Sequence, residues 1–538
     1  MRIVSVSEMI AIENRADVAG LSYAQMMQNA GESLAQIVMK RYGGLDKRHV
    51  LGLVGSGNNG GDTLVALTMM QRAGWKSSAY LVKDRPADDA LVRELQTIGG
   101  DVIPYSEVTD QGALIGAVQS GSVILDGILG TGFTLPLRGV LPKILSLIGA
   151  YSKNQVIVAV DCPSGVDCES GACAPETLHA DLTVCMAAVK KGMLAHPAIG
   201  MMGEIIGADI GLPENAFDLS EIKLTAADCD YVKLLLPQRP ADGHKGTFGR
   251  CMVIGGSIPY PGAPSLSAEA AYRVGAGLVC SAIPASIYEA LVSRMPESTW
   301  LLLPHEMGML NEEAARVILS HSAKYDGLLI GPGMGSERST RDFVQTFLRN
   351  GQQIKNTRSI GFLADGNREA MDNVSQPVMV FDADGLRNLA KIDGWYKKIE
   401  RVGVLTPHPG EMAALTGLTI EEVQRERVEI AQQFAQKWGH VVVLKGALTV
   451  VAGPDQECVL IPIATSALAT AGTGDVLAGM IAGYLVQGLA AYDAAIVAAW
   501  LHGVAGLYAE RLHGQTASVL ARDIITQIPK VVKNTTAQ

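Results

Sequence analysis

Short, unbroken apolar runs that end in Gly, Asp or Pro are what most limit the folds open to this chain. "HVLGLVG" (49–55), "SSAYLV" (77–82), "SVILDGILG" (122–130) and "VIVAVDCPSG" (156–165) occupy the first half. "RCMVIGG" (250–256), "DGLLIGPG" (326–333), "PVMVFDADG" (377–385), "GVLTPHPGE" (403–411) and "HVVVLKG" (440–446) occupy the second. Each is too short for a helix and lacks the alternation of a sheet with one wet face, so each reads as a parallel strand buried on both sides. Longer helical patterns separate them, which makes the chain α/β. One such pattern, residues 22–44, carries Ser22 and Gln25 spaced as a capping box and Gly43-Gly44 as a stop. At 538 residues one core does not suffice, so two α/β units are expected. An aperiodic, Pro-containing segment places their boundary near Pro213 to Glu221, giving domains 1–215 and 222–538.

Bulk properties narrow the function classes. A net charge of −10 without clustered Lys or Arg argues against a nucleic-acid or anionic-membrane surface. The most apolar stretch, 476–506, is interrupted by Gln487, Gly488 and Asp493, so two buried helices are expected there and no membrane span. Eight cysteines lie scattered without a C-x-x-C pair, and reduced thiols in a cytoplasmic protein are expected.

Gly55 to Gly60 satisfy the G-x-G-x-x-G dinucleotide pattern, yet Asp62 follows. A carboxylate two residues past the last glycine is expected to take up the helix amides and repel a pyrophosphate, so an ordinary NAD site is a weak reading. Ligands of open α/β sheets bind beyond the carboxyl ends of the strands. In the first half those ends carry Asn58-Asn59-Gly60-Gly61-Asp62, Asp126 and Asp161, which suit a hard cation beside a polar ligand. Ordinary turn chemistry explains any one of them, but three in succession favour a site. "GTGFTLPLRG" adds a second glycine-rich loop able to present amides to phosphate.

The run "GSGNNGGD", with "DGILGTG" and "DCPSGVD" after it, resembles the N-terminal epimerase domain of the bifunctional NAD(P)H-hydrate repair enzymes. That resemblance implies a Rossmann-like three-layer domain interconverting the R and S forms of hydrated NAD(P)H, NAD(P)HX. It implies that Asn58, Asn59, Gly60, Gly61, Asp62 and the loop Gly130, Thr131, Gly132, Phe133, Thr134, Leu135, Pro136 contact the nucleotide. Asn59, Asp126 and Ser164 would hold potassium, and Asp161 would be the acid/base group, its replacement by Asn abolishing epimerisation but not binding. Thr63 stands where the family usually has glycine and is expected to narrow the loop.

In the second half, "TAGTGDVLAGMIAGYL" (470–485) places small residues before a strongly apolar helix, so its free amides can form an anion hole for a transferring phosphoryl group. Asp475 in its first turn suits a base toward an acceptor hydroxyl, against the plainer reading of a helix cap. "GTGD" and "VVLKGALTVV" resemble the ribokinase-like kinases. More narrowly, "GHKGTFGRCMVIGGS", "YPGAPSLSAEAAYRVGAGLV", "IGPGMG", "FDADGLRNL" and "LTPHPGEMAALTG" follow the order of the NAD(P)H-hydrate dehydratases. That resemblance implies a ribokinase-like α/β domain that phosphorylates S-NAD(P)HX from ADP and expels phosphate, with Mg²⁺ as cofactor. Ala263, Gly335, His408 and Asp475 would contact hydrated nucleotide; Lys445, Gly446, Ala447, Leu448, Thr449 and Gly474 the adenine nucleotide; Asp475 would be the catalytic base. His408 reads alternatively as satisfying backbone groups in its Pro-flanked turn. Asp382 and Asp384 read as a strand end and a helix cap rather than Mg²⁺ ligands. A homo-oligomer is expected. The rival is a vitamin or sugar kinase fused to a nucleotide-binding module, which would release a stable phosphorylated product.

Overall fold

The computed structural model describes residues 1–83, 85–86, 88–104, 111–195, 197–213, 224–351 and 377–537. It divides into two compact units, Met1–Asp228 with Pro462–Ala464, and Cys229–Ile461 with Thr465–Gln538. The expected boundary at Pro213 to Glu221 falls almost wholly in residues 214–223, outside the described ones.

In the first unit seven strands form one parallel sheet. From edge to edge they are Asp101–Pro104, Lys76–Leu81, His49–Val54, Val123–Gly127, Val156–Val160, Leu182–Met186 and Glu204–Ala208. The four apolar runs of this half are strands of that sheet. The order steps outward from His49–Val54 in one direction and then from Val123–Gly127 in the other, so a crevice opens between the loops that follow these two strands. Helices Tyr23–Tyr42 and Asn58–Arg72 cover one face through Leu34, Val38, Leu64 and Leu67. Gln111–Ser120 and Leu141–Tyr151 cover the other through Leu114, Ile144 and Ile148. Ser22 caps Tyr23–Tyr42 by accepting from the Gln25 amide, and Gly43 ends the helix.

The second unit repeats the principle. Strands Thr299–Leu303, Leu278–Pro284, Arg250–Ile254, Gly327–Ile330, Val378–Phe381, Val404–Leu405 and Val441–Leu444 lie parallel, followed by antiparallel Val450–Ala452 and Cys458–Leu460. The apolar stretch 476–506 falls in two helices, Thr473–Val486 and Ala491–His513, as expected. Among the described residues no helix is long and apolar enough to cross a membrane. Thr473–Val486 packs on Gly262–Arg273 so closely that a Cβ on Gly479 would lie 2.2 Å from the Ser267 carbonyl oxygen. Small residues on this helix therefore bring its N-terminus against the sheet's carboxyl edge. All eight cysteines are free.

Candidate functional site

The crevice of the first unit is a cavity of about 830 Å³. Of the residues expected to contact nucleotide, Asn58, Asn59, Asp62 and Gly130 to Thr134 line it; Gly60, Gly61, Leu135 and Pro136 do not. Gly60 instead closes the loop, for a Cβ there would lie 2.0 Å from the Gly55 carbonyl oxygen. The expected conflict between Asp62 and the helix amides is absent. The helix starts at Asn58 with Gly57 as N-cap, so Asp62 stands in its second turn, beyond the free N–H groups. Thr63 does not narrow the loop either: it is fully buried against the sheet, and its hydroxyl donates to the Asn59 carbonyl at 2.7 Å.

Beneath the cavity lies a dense polar knot. Asp126, completely buried at the end of its strand, accepts the Ser164 hydroxyl at 2.6 Å and the Ser164 amide at 2.8 Å. Asn59 donates to the carbonyls of Val160 (2.6 Å) and Leu129 (3.0 Å), leaving its amide oxygen beside Gly130. Burial raises the Asp126 pKa, and no ion pair reaches it among the described residues. A buried carboxyl grouped with an amide oxygen, a hydroxyl and backbone carbonyls is the all-oxygen donor set of a hard cation, and these residues fit one.

Asp161 ends the next strand with φ +64°, a conformation that side chains rarely adopt and that marks functional positions. Its Oδ1 accepts the Met186 amide at 2.9 Å and pairs with the ammonium of Lys190, a residue 2% exposed. Burial alone would lower the Lys190 pKa, but the Asp161 charge outweighs it and the ammonium is held above its ordinary value. Glu13, from helix Val6–Val18, also lines the cavity, and burial raises its pKa. Sequence reasoning missed Glu13 and Lys190. The signal for Lys190 was a lysine ending the apolar run "LTVCMAAVK".

In the second unit the expected residues converge at the sheet's carboxyl edge. Lys445 follows the strand Val441–Leu444 and places Nζ 2.7 Å from Asp382 Oδ1 and 3.9 Å from Glu411 Oε2. A Cβ on Gly474 would lie 3.5 Å from the same nitrogen, so Lys445 reaches the start of helix Thr473–Val486. That helix begins on Gly472 in the left-handed conformation. Asp475 does not cap it: among the described residues its carboxyl has no hydrogen bond or ion pair. Burial, reinforced by Asp382, pushes its pKa up to about 7.

Two readings need correction. Asp382 ends its strand but does not cap the following helix; it is 1% exposed, pairs with Lys445 and accepts the Thr406 hydroxyl at 2.6 Å. Asp384 does not cap that helix either. It accepts the Gly335 amide at 2.9 Å and so fixes the loop carrying Gly335, whose φ is +82°. The ammonium and the loop amide offer these carboxylates stronger partners than the helix start does. His408 does what its plainer reading implies, since Nδ1 accepts the Gly410 and Glu411 amides at 3.0 and 3.3 Å. Its ring proton therefore sits on Nε2, 3.2 Å from Glu411 Oε1. Burial, then Lys445 and Arg387, lower its pKa, while burial lifts Glu411 to about 7. Ala263 lies against Gly333, in the loop that also carries Gly335. Ala447 and Gly446 are exposed, Leu448 turns at φ +59°, and Thr449 donates to the Gly446 carbonyl at 3.1 Å. Arg427, missed in the sequence, clamps this turn by donating to the carbonyls of Leu444, Lys445 and Leu448. Among the described residues no three His, Cys, Asp or Glu side chains group as a metal cage.

Known proteins share both halves. Residues 23–192 match the family described as YjeF-related protein N-terminus, and residues 251–530 match NAD(P)H-hydrate dehydratase. The bifunctional NAD(P)H-hydrate repair enzyme Nnr of Moorella thermoacetica is 35% identical over 95% of this chain and 92% of its own length. That of Escherichia coli is 32% identical over 96% and 91%. A crystal structure of ADP/ATP-dependent NAD(P)H-hydrate dehydratase from Bacillus subtilis, co-crystallised with ATP and Mg²⁺, is 30% identical, with a TM-score of 0.46 over 58% of this chain and 98% of that one. With its two units carrying the two matched families in one polypeptide, the chain belongs to the bifunctional NAD(P)H-hydrate repair enzymes.

Proposed function

We propose that the first unit interconverts R- and S-NAD(P)HX and that the second dehydrates the S epimer to NAD(P)H, using ADP and releasing AMP and phosphate. The observation that carries the second activity is Asp475, a half-buried carboxyl with no hydrogen bond or ion pair among the described residues and a pKa pushed up to about 7, in the first turn of a helix whose start Lys445 reaches. Such a group is poised to take the proton of the ring hydroxyl. The freed oxygen attacks the β-phosphoryl group of ADP while Lys445 and the helix amides hold the developing charge. The ring nitrogen's lone pair then expels phosphate, and loss of a ring proton restores the double bond. Phosphorylation turns a poor leaving group into a good one.

Lys445 to Thr449 and Gly474 contact the adenine nucleotide, and Ala263, Gly335, His408 and Asp475 contact the hydrated one. Mg²⁺, when bound, neutralises phosphate charge. With no cage of protein ligands among the described residues, it would be carried chiefly by the nucleotide phosphates, as this ion commonly is. In the first unit Asn59, Asp126 and Ser164 would hold K⁺, which would supply positive charge to the site. Free buried thiols accord with a reducing cytoplasm, and a symmetric homo-oligomer is the state we propose.

The test incubates the full chain with racemic NADHX and either ADP or ATP, following both epimers by chromatography. Consumption of both epimers with release of NADH and inorganic phosphate supports the reading. A stable phosphorylated product would establish the rival kinase instead.

A further inference from the structure

Six titratable groups, Glu13, Asp62, Lys83, Arg138, Asp161 and Lys190, line the first unit's cavity wall, and they are not equivalent. Asp161 is committed: the ammonium of Lys190 and the Met186 amide both act on Oδ1, and its backbone is fixed at φ +64°. That oxygen is therefore already occupied by a cation and an amide. Asp62 faces the same space from helix Asn58–Arg72 with no hydrogen bond or ion pair among the described residues, and it is 7% exposed. The charged groups around it are Asp161 and Glu13, which oppose its ionisation, and Lys190, which is already spent on Asp161. Lys83 lies on the same cavity wall but is exposed to solvent.

We propose that Asp62 is the catalytic acid of the epimerase, passing its proton to the departing ring hydroxyl and recovering one from the returning water, while Asp161 remains a carboxylate that stabilises the cationic ring. This rests on the epimerase reading above. The step balances. The carbon–oxygen bond breaks with both electrons going to oxygen, the Asp62 proton completes a water molecule, and the ring nitrogen's lone pair forms the cation. Water adds to the opposite face, and its surplus proton returns to the Asp62 carboxylate. Burial, with Asp161 and Glu13 beside it, keeps the Asp62 carboxyl well above the ordinary range and so supplied with that proton.

The experiment follows R-NADHX conversion to the S epimer by chromatography, with full-length chain and neither ADP nor ATP, and titrates R-NADHX binding calorimetrically. Asp62→Asn is expected to slow epimerisation about 100-fold or more while binding stays within about threefold, and to be slower than Asp161→Asn. Asp62→Asn epimerising faster than Asp161→Asn, or as fast as the parent, overturns the proposal and leaves the epimerase reading standing. A parent chain that does not epimerise at all overturns both. If Asp62→Asn does not fold, Asp62→Glu and Asp62→Gln decide: an active Glu with an inactive Gln supports proton transfer, and equal rates overturn it.

Discussion

Lys445 Nζ lies 2.7 Å from Oδ1 of Asp382, a carboxylate 1% exposed. Burial opposes the charge on each, and each restores the other. The Lys445 pKa is accordingly raised overall, by Asp382 and Glu411 against the effect of burial. Lys445→Met leaves the buried Asp382 carboxyl without its cation, and it is expected to destabilise the second unit by about 3–5 kcal/mol. Denaturant unfolding measures this. Epimerisation by the same protein, carried by the other unit, is expected to persist below the transition. An Lys445→Met protein as stable as the parent would show that the pair is not closed in solution.

Asp475→Asn removes the proposed base. Dehydration of S-NADHX with ADP is expected to fall about 10²- to 10⁴-fold with little change in ADP binding. In the parent the base must be ionised, so kcat/KM rises with pH through about 7 and levels above it. The stability effect has the opposite sign. Because the folded pKa exceeds the ordinary 3.8, the stability that goes with the protonated form is complete below that value and is lost as pH rises through about 7. Asp475→Asn is therefore expected to raise the melting temperature relative to the parent at about pH 8 and to leave it unchanged at about pH 4, by on the order of 1–3 kcal/mol after solvent screening. Parallel melts at the two pH values check it.

The strands and their polar ends were legible because strands buried on both faces write continuous apolar runs, and their ends are the polar interruptions. Asp126, Asp161, Lys445 and Asp475 all fall at such ends or in the helix they abut. Partners were less legible. Asp382 and Lys445 stand 63 positions apart, and Asp161 and Lys190 stand 29 apart, so local patterning cannot join them. Asp62 was misread for a different reason. Its effect on helix amides depends on which residue starts the helix, and the glycines obscure a start at Asn58 that backbone geometry settles. Arg427 reads as an ordinary charged helix position, and only the fold turns it toward three carbonyls.

Arg427→Met tests whether the nucleotide turn must be held. The guanidinium bonds the Leu444, Lys445 and Leu448 carbonyls and stays within 3.0 Å of where a Gly446 Cβ would be. Without it the turn relaxes before ADP binds, so KM for ADP is expected to rise about tenfold, roughly the worth of one charge-assisted hydrogen bond. The turnover number is expected to change less. Initial rates over a range of ADP concentrations separate the two; a fall in kcat at constant KM would place Arg427 in a different role.

Gly55→Ala tests the crevice of the first unit. A Cβ there would lie 1.9 Å from the Ile128 carbonyl oxygen, so the two loops that flank the cavity must part to admit it. A cost of about 3 kcal/mol is expected, with loss of epimerisation, while dehydration of purified S-NADHX continues. Thermal unfolding alongside the two separate activity assays checks this.

The Asp126–Ser164 pair bears on the ion. Asp126 is fully buried and accepts both the hydroxyl and the amide of Ser164, with no cation from the protein beside it among the described residues. A potassium ion held there by Asn59, Asp126 and Ser164 would make epimerisation depend on K⁺ over a cation too large for the site. Parent protein is expected to epimerise R-NADHX faster in KCl than in tetramethylammonium chloride at equal ionic strength. Asp126→Asn, which keeps the shape and removes the charge, is expected to abolish that difference, and Ser164→Ala to shift the response to higher K⁺. Rates of the parent that are equal in the two salts would leave Asp126 as a purely structural carboxyl, satisfied by Ser164 alone.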